Sequence, residues 1–118
     1  MQVLPGERLQ AEDRLLPGQF LTSVNGTYRL QFQNDGNLVL TNLVSGRAVW
    51  ASGTVNARPG QLVMQSDGNL VITNDGIALW SSRSAGNSGA FVALQGDGNV
   101  VIYNTRGSSP WSSGTVGF

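Results

Sequence analysis

The chain has 118 residues, seven arginines, seven acidic residues, and no histidine, cysteine or lysine. These absences exclude zinc fingers, thiol nucleophiles, imidazole bases, the usual haem and iron–sulfur ligation, Schiff-base lysines and the phosphate-binding lysine of a P-loop. A formal net charge of zero argues against non-specific nucleic-acid binding, which needs a basic face, and the length fits one domain, residues 1–118, able to stand without disulfides.

Forty per cent hydrophobic residues and a mean hydropathy of -0.08 describe a globular chain rather than a disordered one. Sixteen glycines, ten asparagines and eight glutamines suit short strands joined by tight turns, with neutral amides as the main polar groups. From the N-terminus, Met1 to Pro5 show no charged segment followed by an apolar core, so no secretory signal is read there. A mature exported protein is favoured over a cytosolic one. Residues 7–16 give the nearest approach to a helical pattern, bracketed by Pro5 and Pro17. A pair of strands completing the architecture from the N-terminal side fits them better. Asn25-Gly26-Thr27 is a glycosylation sequon and also an ordinary hairpin turn.

From Leu30 the chain repeats itself. LQFQNDGNLVLTN, LVMQSDGNLVITN from Leu62 and VALQGDGNVVIYN from Val92 align, and their glutamines, Gln33, Gln65 and Gln95, lie 32 and 30 residues apart. Each segment leads on to a tryptophan (Trp50, Trp80, Trp111), and these are all the tryptophans of the chain. Within each repeat the period is two, as for strands with one buried face. Asp-Gly between the two runs marks a hairpin. A three-residue loop pairs Gln65 with Asn69 and Val63 with Val71, and it sets Leu62, Met64, Leu70 and Ile72 on one inner face. A two-residue loop would mix the faces. The inner faces of the other copies are Leu30, Phe32, Leu38 and Leu40, and Val92, Leu94, Val100 and Ile102. A further strand enters each tryptophan, and the three indoles are expected to meet on a pseudo-threefold axis. The longest apolar runs, Leu38–Leu40 and Val100–Ile102, are too short to span a bilayer.

The outer faces carry the functional signal. Gln, Asp, Asn and Val recur two residues apart in all three copies. Turn chemistry requires the Asp and the Gly, but it requires neither the glutamine nor a valine on the exposed side. The pattern Gln-x-Asp-x-Asn-x-Val-x-Tyr resembles the sugar-binding signature of the monocot mannose-binding, or bulb-type, lectins. It is complete at Gln95, Asp97, Asn99, Val101 and Tyr103. It is complete except for its last position at Gln65, Asp67, Asn69, Val71 and Thr73, and at Gln33, Asp35, Asn37, Val39 and Thr41.

The resemblance implies an all-β, β-prism II fold, with three four-stranded antiparallel sheets in pseudo-threefold symmetry and one mannose pocket on each. It implies that Asp97 and Asn99 hold the axial 2-OH, Gln95 the 3-OH and Tyr103 the 4-OH, while Val101 packs on the ring. No metal ion or other cofactor is implied. Threonine at 41 and 73 is too short to replace the tyrosine, so the third site is expected to be the strongest. The plant proteins' disulfide would fall at Gly36 and Gly60, and its loss with a lysine-free composition suits a bacterial or fungal source. Family dimers exchange the C-terminal strand, a part that Trp111 to Phe118 would play in a homodimer. The partners implied are mannose-containing glycans, with no nucleic acid and no membrane insertion.

Other readings are weaker. Asp35, Asp67 and Asp97 lie on separate repeats, so no glycosidase pair at roughly 5–10 Å is assembled from them, and the chain reads as a non-enzyme. Asp75 sits in another turn. Each Asp-Gly turn offers a single carboxylate, too few for a calcium loop. A β-trefoil would need longer repeats. The alternative of a different class is a β-prism scaffold that has lost sugar binding and acts through protein contacts, or as a bacteriocin-like antimicrobial protein.

Overall fold

The computed structural model describes residues 7–55 and 60–118. Its strands are β1 (Arg8–Leu9), β2 (Arg14–Leu15), β3 (Phe20–Thr22), β4 (Tyr28–Phe32), β5 (Leu38–Asn42), β6 (Arg47–Ala51), β7 (Gln61–Met64), β8 (Leu70–Asn74), β9 (Ile77–Ser81), β10 (Phe91–Leu94), β11 (Val100–Tyr103) and β12 (Trp111–Ser112). They form three four-stranded sheets, ordered β1-β10-β11-β12, β2-β7-β8-β9 and β3-β4-β5-β6. All strand pairs are antiparallel.

Each sheet is therefore one repeat plus one short N-terminal strand. Residues 7–16 form strands, β1 and β2, that complete two different sheets, while β3 completes the sheet of the first repeat. Their spacing is six residues: Leu9, Leu15 and Leu21 are each fully buried, and each faces the leading inner residue of its repeat, Val92, Leu62 or Leu30. One apolar residue per short strand suffices because the rest of the strand only has to extend a ladder.

The hairpins adopt the three-residue loop. In the second, Val63 pairs with Val71 and Met64 with Leu70, the Gln65 amide donates to the Asn69 carbonyl at 2.9 Å, and the Gly68 amide donates to the Gln65 carbonyl at 3.0 Å. The third loop residue is left-handed in every copy, with φ of 89° at Gly36, 92° at Gly68 and 94° at Gly98, as a type I turn followed by a bulge requires. The Asn74-Asp75-Gly76-Ile77 connection is a two-residue turn with both central residues at positive φ, 52° and 76°. All the inner-face residues of the three repeats are buried in a single core.

Trp50, Trp80 and Trp111 converge as expected. Their ring centroids are 5.7, 5.8 and 5.7 Å apart and their planes are inclined at 72°, 74° and 78°, so each indole presents an edge to a neighbour's face. All three are partly buried against the core. β6 and β9 meet their neighbours with a bulge opposite Leu40/Thr41 and Ile72/Thr73, whereas β12 is only two residues long. Pro110 precedes it and has no amide hydrogen to extend the ladder. Gly60 sits so close to β8 that a Cβ there would lie 1.7 Å from the Thr73 carbonyl oxygen. The position admits no cysteine without backbone movement.

Candidate functional site

In each repeat the five motif positions belong to one hairpin: glutamine at the end of the first strand, aspartate in the turn, asparagine at its exit, and valine with threonine or tyrosine on the second strand. The aspartate works first on the turn itself. Oδ1 of Asp35, Asp67 and Asp97 accepts the backbone amide two residues on, that of Asn37, Asn69 or Asn99, at 3.0 Å in all three copies. The second carboxylate oxygen of these exposed residues remains available.

The asparagine is held by a device that motif reading did not single out. After each tryptophan strand comes Ser-x-Thr or Ser-x-Ser: Ser52 and Thr54, Ser82 and Ser84, Ser113 and Thr115. The first hydroxyl donates to the asparagine Oδ1 at 3.1, 3.2 and 3.1 Å, and it accepts the amide of Leu38, Leu70 or Val100. The second donates to the turn carbonyl of Gly36, Gly68 or Gly98 at 2.7, 2.7 and 2.6 Å. Backbone amides of Gly53, Thr54, Ser84, Gly114 and Thr115 also reach the same Oδ1 atoms. Only an oxygen can accept this many donors, so the amide orientation is fixed. The Nδ2 groups have no partner among the described residues and stay free to donate. The recurring Ser-x-Ser/Thr after each Trp was the sequence signal for this hook.

The valines face outward but are not exposed. Val39, Val71 and Val101 are 7%, 3% and 4% accessible, a correction to their reading as exposed-side residues. They lie on β5, β8 and β11, which have a strand on both sides, so neighbours such as Val63 and Ser81 flank Val71.

The last position separates the three sites. Tyr103 pairs with Phe91 across the strands, with ring centroids 5.7 Å apart, and the Gln95 Nε2 donates to the Tyr103 hydroxyl. Arg8 lies over the other aromatic partner, its guanidinium carbon 4.6 Å from the Phe91 centroid. In the first repeat Thr41 instead faces Arg29, which stacks on Phe20 at 4.1 Å. In the second, Thr73 faces Gln61, whose Oε1 accepts from Arg14 at 3.0 Å. Gln95, Asp97 and Tyr103 line an open cavity of about 490 Å³.

No family model matches the chain. Among solved structures, a monomeric monocot mannose-binding lectin from Gastrodia elata is 42% identical with a TM-score of 0.83, the alignment covering 94% of this chain and 99% of that one. The mannose-specific agglutinin of snowdrop (Galanthus nivalis) bulbs, solved with methyl α-D-mannoside, is 36% identical with a TM-score of 0.76, covering 84% and 90%. The B-type lectin plumieribetin of Scorpaena plumieri is 36% identical over 66 residues; the match spans 56% of this chain and 56% of that protein, little more than half the length of this curated relative. Three sheets about a pseudo-threefold axis, with the same motif on the outer face of each, define a β-prism II lectin fold. The chain belongs to the monocot mannose-binding, or bulb-type, lectin family.

Proposed function

We propose that residues 1–118 form one lectin domain that binds α-D-mannose and mannosides without a metal ion, most strongly in the third repeat. The observation that carries this reading is the contact between Gln95 and Tyr103, which joins the two ends of the motif into one polar rim. The atoms left over match the hydroxyls of the sugar. The second oxygen of Asp97 accepts from the axial 2-OH while Asn99 Nδ2 donates to it, so one hydroxyl is read both as donor and as acceptor. The carboxylate bond is charge-assisted and the stronger of the two. With its Nε2 committed to Tyr103, Gln95 offers Oε1 to the 3-OH, and the tyrosine hydrogen is released toward the 4-OH. Val101 gives the ring an apolar floor.

The sites of the first and second repeats keep Gln33, Asp35, Asn37 and Val39, and Gln65, Asp67, Asn69 and Val71, but not the aromatic hydroxyl. A neutral hydrogen bond is worth about 0.5–1.5 kcal/mol, against about 4 kcal/mol for a whole millimolar site. These two sites therefore bind more weakly, and avid capture of mannose-containing glycans rests on several sites acting together. Titration of methyl α-D-mannoside by calorimetry tests the reading. Tyr103→Phe weakens the strongest site by about three- to tenfold, the equivalent of one such bond. Unchanged affinity removes the tyrosine hydroxyl from the contacts. Absence of binding by the wild type defeats the lectin reading and leaves the protein-contact scaffold, for which the altered Thr41 and Thr73 sites would then count.

A further inference from the structure

The third site is a composite of two sheets, and part of its second wall is apolar. Beyond Gln95, Asp97 and Tyr103 the same cavity is lined by Phe91, by Glu7 and Arg8, and by Val24, which is 84% exposed. Val24 does not belong to the third repeat. It comes from the β3–β4 loop of the first sheet, which reaches across to the third hairpin through Asn25 Nδ2, donating to the Gly96 carbonyl at 2.9 Å. The Asn25 side chain is fixed in that pose because its Oδ1 accepts from Ser23 Oγ at 2.7 Å and from the Thr27 amide at 3.2 Å.

Gly96 is what allows the contact. A Cβ there would lie 3.0 Å from Asn25 Nδ2, and the matching positions of the other hairpins carry Asn34 and Ser66. Phe91 is likewise particular to this repeat, replaced by Arg29 and Gln61 in the others. It is held between Tyr103 and Arg8, so its orientation is set before any ligand arrives. At about 490 Å³ this open cavity has room for more than one pyranose, within the roughly 300–1,000 Å³ of small-molecule clefts.

Resting on the mannose reading above, we infer that the third pocket has an apolar subsite, walled by Val24 and Phe91, that selects α-mannosides carrying an apolar aglycone. The polar motif orients the sugar, and the aglycone covers an exposed valine face that otherwise contacts water.

Calorimetry with phenyl α-D-mannopyranoside and methyl α-D-mannopyranoside tests this. The wild type binds the phenyl glycoside about fivefold more tightly, the gain expected from covering one small apolar face. In Val24→Ser the ratio of the two affinities falls toward one. It falls also in Gly96→Ser, which crowds Asn25 and releases the loop. Equal affinity of the wild type for both glycosides, or a phenyl preference that survives in both variants, overturns the subsite while leaving mannose binding intact. If neither glycoside binds the wild type, the mannose reading fails and the subsite fails with it.

Discussion

Asn99 shows how a side chain can serve fold and ligand at once. Its oxygen is buried in hydrogen bonds from Ser113, Gly114 and Thr115, and its nitrogen is thereby turned to the side where a hydroxyl can accept from it. The same division holds at Asn37 and Asn69, so the hook serves the fold before any sugar arrives: it closes each hairpin onto its tryptophan strand. The hook also contains an imperfect copy. Its middle residue is left-handed in all three repeats, with φ of 73° at Gly53, 57° at Arg83 and 71° at Gly114. An L-residue pays about 1–2 kcal/mol in this region, partly offset by glycine's greater entropy loss on folding. Arg83→Gly should therefore stabilise the protein by about 0.5–1 kcal/mol, read as a higher urea midpoint with an unchanged slope.

At the scale of the element, the paired strands of each repeat were legible because a period of two, run over two strands and a diagnostic Asp-Gly turn, leaves a single register that keeps Leu62, Met64, Leu70 and Ile72 together. The tryptophan strands were legible from the recurrence of Trp alone. β1 and β2 could be expected only as strands of some kind, since two residues are too few to display alternation. The usable signal was instead the six-residue spacing of Leu9, Leu15 and Leu21. The burial of Val71 was not legible either, because it depends on β9 flanking the far side of β8. The hairpin turn is the element's most constrained point. At Gly68, φ is +92° and a Cβ would meet the Asn87 carbonyl oxygen at 2.4 Å, so strain and collision add. Gly68→Ala is expected to cost at least about 2 kcal/mol, a drop in melting temperature of roughly 5–10 °C for a chain of this size, measured by circular dichroism.

For the whole molecule, the three indoles act as a common keystone, and pseudo-symmetry explains why three near-equal edge-to-face contacts recur. The tail beyond β12 closes on its own chain: the Ser113 amide donates to the Val100 carbonyl at 2.8 Å, Gly117 to the Asp97 carbonyl at 2.8 Å, and Asn42 Nδ2 to the Phe118 carbonyl at 3.2 Å. Exchange of this segment between two copies would remake the same bonds in trans, and a homodimer built that way predicts a dimer mass in sedimentation that reverts to a monomer mass when residues after Trp111 are deleted. An unchanged mass after deletion rules the exchange out. The truncated chain also lacks Ser113 and Thr115, so Asn99 loses its hook whichever mass is found.

The pairing of β1 with β10 has a consequence for the order of events in folding. Arg8 and Ala93 are register partners separated by 85 positions (93 − 8 = 85), whereas β3 to β6 form a meander of neighbours in sequence. Loop closure over the longer span costs more entropy before any contact rewards it, so the sheet of the first repeat is the natural early structure and that of the third repeat the late one. The pocket with the complete motif, which takes Arg8 from β1 and Val24 from the first sheet, is then the last part of the molecule to exist. A compact intermediate holding only the first sheet would lack the third pocket, and recovery of its tighter sugar binding during refolding would time the closing of the ring.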